Sequence, residues 1–234
     1  MRSGFRIANV WCGIGLAVCL AAFPASGSAI LWYNGSIEGV WTVVAHGRDL
    51  SQDFALYDNF SVPSVGWLVS EIFADNDVWD EGALSTHFLG ADYEIRRGLA
   101  PGNGGTLVAF GYAVPASWSR MIGPGNGYRL SVTGLSIALG PGEYWLMLRP
   151  VFSTNFDSRR WPVYLHLTRG TNGVNAVLDD KWFVYSGSAG VNFRQERFHD
   201  TSMGLRGEPL PEPATLGLVA CGLALAWARR RVRS

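Results

Sequence analysis

Cysteine is nearly absent from this sequence and wholly absent from its middle. The three cysteines are Cys12, Cys19 and Cys221, each in an apolar segment near one end. Residues 30–208 therefore hold no disulfide and must close a core of their own. Lysine is scarcer still, with Lys181 alone. Of 19 Lys and Arg, six (Arg2, Arg6, Arg229, Arg230, Arg231 and Arg233) lie at the ends, leaving 13 in the middle; of 19 Asp and Glu only Glu212 lies outside it, leaving 18. The middle is thus acidic by about five charges although the whole chain is formally neutral. That balance excludes a nucleic-acid surface.

Catalytic signatures are missing too. The four histidines, His46, His87, His166 and His199, show no H-x-H or H-x-x-x-H spacing. Neither a zinc site nor a nucleophile–base pair is written there, and each reads as a surface or half-buried histidine. Alternation on residues 161–168 sets His166 opposite Val163, Leu165 and Leu167, which predicts solvent exposure. No Gly-x-Ser-x-Gly elbow occurs. Gly102-Asn103-Gly104-Gly105 has the glycines of a phosphate loop but not its lysine or helix, so it reads as a hairpin turn. Glu94 with Glu143, or Asp179 with Asp180, could form an acid/base pair only at a separation that sequence does not give.

What is present begins at the ends. Arg2 and Arg6 precede an apolar run over residues 10–23, then Pro24-Ala25-Ser26-Gly27-Ser28-Ala29. Small Gly27 and Ala29 occupy the positions that signal peptidase reads, so residues 1–29 form a secretory signal with an apolar helix, cut after Ala29. At the other end Pro211-Glu212-Pro213-Ala214-Thr215 leads into an apolar helix over residues 215–228, then Arg229, Arg230, Arg231 and Arg233. Fourteen helical residues span roughly 21 Å, short of the roughly 30 Å hydrocarbon core. Such a segment holds the C-terminus at the membrane only weakly, with its arginines on the cytoplasmic side. Two prolines keep Glu212 extended, as a protease requires.

This tail, with Gly217, Gly222 and Trp227, resembles a PEP-CTERM sorting signal, a module also called an ice-binding protein C-terminal domain. Leu210 stands where valine is commoner in that family. The resemblance implies an exported protein of a polysaccharide-producing Gram-negative bacterium. It implies an inner-membrane-anchored precursor cut by an exosortase near Pro-Glu-Pro and released to the cell surface or beyond.

Residues 30–208 carry short β-rich runs about 8–12 residues apart with Gly, Pro and Asn between them, the pattern of a β-sandwich or jelly roll. Strands are expected over residues 40–44, 54–62, 67–73, 93–96, 106–110, 128–139 (kinked at Gly134), 143–151, 161–168 and 198–206. In 54–62 one polar residue, Asp58, interrupts the apolar face of Phe54, Leu56, Phe60 and Val62. No amphipathic helix of convincing length appears. The division is thus residues 1–29, signal; 30–208, all-β body; 209–234, sorting signal. Tyr57-Asp58-Asn59-Phe60-Ser61-Val62-Pro63, Trp67, Tyr93-Glu94-Ile95-Arg96-Arg97-Gly98 and Gly102-Asn103-Gly104-Gly105-Thr106-Leu107 resemble a β-sandwich found on many PEP-CTERM proteins. Val132-Thr133-Gly134-Leu135, Leu139-Gly140-Pro141-Gly142-Glu143-Tyr144-Trp145-Leu146 and Ser202-Met203-Gly204-Leu205-Arg206-Gly207 continue it. No catalytic residue comes with that resemblance.

Two binding readings remain for the body. Asp75, Asp77, Asp80 and Glu81 crowd hard oxygen ligands together, which suits calcium, although no EF-hand spacing supports it; the other reading is a solvated acidic turn. Eight tryptophans fall in the body. Trp118, Trp161 and Trp182 have polar neighbours and could stack on sugar rings, or they pack in the core. The expectation is a non-catalytic structural or adhesive protein with no obligate cofactor. Its partners would be signal peptidase, an exosortase, the membrane before cleavage and extracellular polysaccharide. The alternative is a carbohydrate-binding module or carbohydrate-active enzyme on a jelly-roll scaffold.

Overall fold

Strands carry the fold. The computed structural model describes residues 28–36, 42–45, 47–48, 53–78, 80–121, 127–153, 163–187, 189–196 and 199–210. In chain order the strands are β1 (Ala29–Tyr33), β2 (Thr42–Ala45), β3 (Gly47–Arg48), β4 (Asp53–Val62), β5 (Trp67–Val78), β6 (Phe88–Arg97), β7 (Thr106–Val114) and β8 (Ser117–Arg120). They continue as β9 (Gly127–Leu139), β10 (Gly142–Phe152), β11 (Val163–Thr168), β12 (Trp182–Ser186), β13 (Val191–Glu196), β14 (Asp200–Thr201) and β15 (Met203–Pro209). One short helix, α1 (Glu81–His87), joins β5 to β6. The all-β expectation holds for the described body. Among the described residues no helix is long and apolar enough to cross a membrane. The signal helix and the C-terminal apolar helix expected from sequence fall in residues 1–27 and 211–234, outside the described residues.

Two sheets enclose one main core. The first has the order β1-β15-β5-β11-β14, with β9 also on β5, β8 on β9 and β2 on β11. The second runs β13-β12-β4-β3-β10-β6-β7, with β4 also paired directly to β10. Pairing is antiparallel throughout, except where Val151 meets Arg48 in parallel.

Alternation along the strands sorts side chains between two layers. Leu56, Phe60 and Val62 of β4, Tyr144, Leu146 and Leu148 of β10, and Trp182 and Val184 of β12 face the main core. Leu31, Trp32, Ile72, Ala74, Leu130, Val132, Leu165 and Leu205 meet them from the first sheet. Phe60 is the centre. Its ring lies 5.1 Å from Trp32, 6.1 Å from Trp67 and 5.5 Å from Tyr144, all stacked. Two of those partners belong to the opposite sheet, so one ring ties the layers together.

The intervening residues of the second sheet are buried as well. Ala55, Tyr57, Trp145, Met147, Phe183 and Phe193 form a second cluster with Leu99. Its cover is the connection from β6 to β7. There the Gly102 amide donates to the Phe193 carbonyl at 3.2 Å, and Asn192 Nδ2 donates to the Gly102 carbonyl at 3.1 Å. The glycine-rich stretch expected as a hairpin turn does turn, with Ala100 bridging Asn103. It also reaches across the sheet to β13. Gly104 permits that approach, since a Cβ there would lie 2.7 Å from the Phe193 ring.

The structure corrects several boundaries. β5 continues through Asp75, Asn76 and Asp77, so the acidic run is not the solvated turn that one reading proposed. Its ladder explains why: Asp75 pairs with Arg129 and Asn76 with Leu165, and partners on both sides prolong the strand. The closing strand is split into β14, paired with β11, and β15, paired with β1 and β5. The kink expected at Gly134 is present. Register slips between Val69 and Glu71 opposite it, and Gly134 takes φ +73°, a conformation that glycine adopts without a Cβ clash.

Replacing Phe60 with Ala should remove the shared ring and leave a cavity between the sheets. We expect a loss of about 3–5 kcal/mol in urea unfolding, with the spectrum of the remaining folded protein unchanged.

Candidate functional site

Among the described residues, the candidates read from sequence do not converge. Asp75 is fully buried on β5, Asp77 is half-buried two residues on, and Asp80 and Glu81 stand at the start of α1. Glu81 lies 3.8 Å from Arg120 on the surface. Among the described residues no three His, Cys, Asp or Glu side chains gather as a metal would require. Trp182 is 7 % exposed and belongs to the main core. Trp118 is half-buried, edge-on to Phe88 at 5.5 Å and to Tyr128 at 6.5 Å. Of the two readings of Trp182, core packing is the one seen, because its strand pairs between β4 and β13 and turns it inward. Trp161, Pro211, Glu212, Pro213, Ala214, Thr215 and the terminal arginines lie outside the described residues.

Polar groups converge instead around buried carboxylates and their donors. Asp75 accepts from Arg129 through two parallel bonds, Nε to Oδ1 at 2.7 Å and Nη2 to Oδ2 at 2.9 Å. Tyr33 donates to Asp75 Oδ2 at 2.7 Å and Ser202 donates to the same oxygen at 2.8 Å. A guanidinium and two hydroxyls thus fill the coordination that a cation would need from this carboxylate. Burial, and then the Asp75 charge, raise the Tyr33 phenol well above its usual range. Arg129 also lies 4.2 Å from the Phe73 ring centroid, so its charge is held by an aromatic face as well as by Asp75.

Asp58 points the other way, into the main core. Its Oδ2 accepts from the Thr201 amide at 2.5 Å, the Thr201 hydroxyl at 2.6 Å and Asn34 Nδ2 at 3.2 Å. Its Oδ1 accepts from the Asn59 amide at 2.8 Å. Asn34 in turn accepts from Trp32 Nε1 at 3.0 Å and from the Val177 amide at 3.1 Å. Burial and the neighbouring Asp200 carboxylate push Asp58 up to about 8. Burial, with Asp179 and Asp180 nearby, pushes Asp200 up to about 6.

A third group lies on the outer side of the second sheet. Glu94 accepts from Tyr57 at 2.8 Å, Arg96 at 2.6 Å and Tyr112 at 2.5 Å. Burial opposes its ionisation, but these donors outweigh burial and hold it below the usual carboxylate range. Asp92 accepts from Arg48 through Nε at 2.7 Å and Nη2 at 3.0 Å, and from Arg149 Nε at 3.1 Å. It too is held low against burial. Arg149 reaches Asp53 as well. Beside this network Phe110 and Tyr112 are 56 % and 50 % exposed, with ring centroids 5.3 Å apart.

His166 departs from expectation. It is 6 % exposed, and neither ring nitrogen has a hydrogen-bond partner among the described residues. Burial lowers its pKa, with Asp77 and Asp75 acting in the opposite direction. The alternation on β11 was right, but the outer face of the first sheet is itself covered there. Residues 34–36 cross it, with the Ser36 carbonyl accepting from the Thr168 hydroxyl at 3.0 Å.

Among the described residues these arrangements pair carboxylates with donors that hold them ionised or buried. A cleft of about 210 Å³ between β1, β5, β9 and β15 is lined by Ser28, Leu68, Ser70, Leu135, Gly207 and Glu208, with Glu208 its one ionisable side chain. Glu94 and Asp179 were weighed from sequence as acid/base candidates; Glu94 is tied to Arg96 and two phenols, and Asp179 to Lys181 and Asn59. No family model matches the chain, and no curated protein or solved structure matches it either.

The raised carboxyls give a pH test. A folded pKa above the unfolded value means that the folded protein binds the extra proton. That stability is complete below the unfolded value near 4 and is lost as pH rises through about 8 for Asp58. Asp58→Asn cannot titrate. The melting temperature of the wild type should therefore fall relative to that of D58N between pH 4 and pH 8; parallel pH profiles would contradict the assignment.

Proposed function

We propose that this chain is an exported, non-catalytic structural protein of the cell envelope or extracellular matrix. Its mature body is a jelly-roll-type sandwich, sorted and cut through the Pro211-Glu212-Pro213 signal. The observation that carries this reading is the pairing of the first and last strands. β1 and β15 lie side by side, with Ala29 opposite Gly207 and Ile30 opposite Arg206. The two ends of the body thus leave from one edge of one sheet, next to the two segments read as processing signals. Cuts at both ends would leave every other strand pair intact.

The chemistry of the interior agrees with a scaffold role. The cysteine-free body spends Asp58, Asp75, Asp92 and Glu94 on hydrogen bonds between strands. Such bonds rigidify a fold, and the donors around Asp92 and Glu94 hold both below the usual carboxylate range, which leaves these two little basicity for catalysis.

The test is processing in a polysaccharide-producing host that carries an exosortase. An epitope inserted in the body should report a shortened wild-type protein outside the inner membrane. The P211A/E212A/P213A variant should remain full length and membrane-bound. Equal lengths and equal locations for the two proteins would sink the sorting reading.

A further inference from the structure

We propose that the outer margin of the second sheet, built on Phe110 and Tyr112, is a binding platform for a neutral polysaccharide. This rests on the structural reading above and names its partner. Phe110 and Tyr112 are neighbours on the outward side of β7, and both rings are at least half exposed. Glu94, opposite Phe110 in the β6–β7 ladder, accepts from the Tyr112 hydroxyl and so fixes that ring. Glu94 is itself clamped by Tyr57 and Arg96. An aromatic ring held in place before binding loses little conformational freedom on stacking. Sugar rings present flat C–H faces suited to such rings, and their hydroxyls suit the exposed ends of Arg48 and Asp53 at the rim.

Charge selects the class of polysaccharide. The platform is bordered by Asp53, Asp92 and Glu94 and by Arg48, Arg96 and Arg149. These pair among themselves, so the border carries no net charge. The body as a whole is acidic by about five charges, which repels an anionic polymer. A neutral chain meets neither penalty.

A peptide strand added to the β7 edge is the competing occupant, because β7 contains neither charge nor proline. Its ladder argues against that. Register slips twice in nine residues, between Ala91 and Tyr93 and between Ile95 and Arg96 on β6, and Ala113 takes φ +50°. Bulges at this density deny a new strand a continuous row of partners. The other edges differ. β13 carries the Arg194–Glu196 ion pair, and β1 is covered where Tyr33 and Val174 exchange backbone hydrogen bonds.

The experiment is affinity electrophoresis of the full chain in a native gel with nonionic detergent. Separate gels contain soluble β-glucan, xylan, galactomannan or, as the anionic control, polygalacturonate. The wild type should be retarded by at least one neutral polymer and not by polygalacturonate. Phe110→Ala should abolish the retardation. Leu178→Ala removes a side chain that is likewise 50 % exposed and should migrate as the wild type does. Thermal unfolding of both variants should match the wild type, since exposed sites contribute little to stability. No retardation by any neutral polymer overturns the proposal, as does equal retardation of F110A. Stronger retardation by polygalacturonate also overturns it. Self-association that F110A abolishes would make the surface a subunit contact instead. None of these outcomes depends on cleavage of the tail, so this proposal and the sorting reading can fail separately.

Discussion

The fold depends on how two buried aspartates grip one tripeptide. Asp200, Thr201 and Ser202 carry the chain from β14 to β15, across the seam between two pairings of the first sheet. Asp58 reaches over from the second sheet and takes both the amide and the hydroxyl of Thr201. Asp75, on the neighbouring β5, takes the hydroxyl of Ser202 from the other face. The Ser202 amide donates to the His166 carbonyl, and the Asp75 amide donates to the Ser202 carbonyl. Without these acceptors the seam would bury donors with no partner, at about 1–3 kcal/mol for each. Phe60 supplies the apolar counterpart, since its ring joins the same two sheets.

This division of labour explains how a cysteine-free body closes. Apolar alternation fills the space between the sheets, and carboxylates fix which strand passes where. It also explains the electrostatics. Asp92 and Glu94 lie among arginines and stay ionised despite burial. Among the described residues no ion pair reaches Asp58 or Asp200; burial pushes both up, helped by Asp200 at Asp58 and by Asp179 and Asp180 at Asp200. Acidic residues thus perform two structural tasks, as ion-pair members on the outer face and as hydrogen-bond acceptors inside.

Much of the architecture was legible in the sequence. Period-two apolar residues located β4, β7, β9 and β10, and the glycine at 134 located the kink. The missed elements had different causes. β1 is five residues adjoining the signal segment, whereas β12 carries a strand signal, Trp182-Phe183-Val184-Tyr185, that the expected strands left out. His166 was assigned to solvent because alternation names a face and does not say whether another segment covers it. The polar site was the least legible. Asp58 appeared only as a polar break in an apolar stripe, and its partner Thr201 is 143 residues away. That break was the available signal: a carboxylate on a core-facing position needs buried donors. Asp75 was noticed for its acidic neighbours, whereas its role comes from Arg129, 54 residues on.

The central claim is that Asp58 and Thr201 stabilise the sandwich as a pair. A double-mutant cycle with Asp58→Ala, Thr201→Val and the double variant, measured by urea unfolding near pH 7, tests it directly. Strong coupling is expected, about 1–3 kcal/mol, because Asp58→Ala strands the buried Thr201 hydroxyl that the double change removes. Additive losses, with coupling below about 0.5 kcal/mol, would contradict the account.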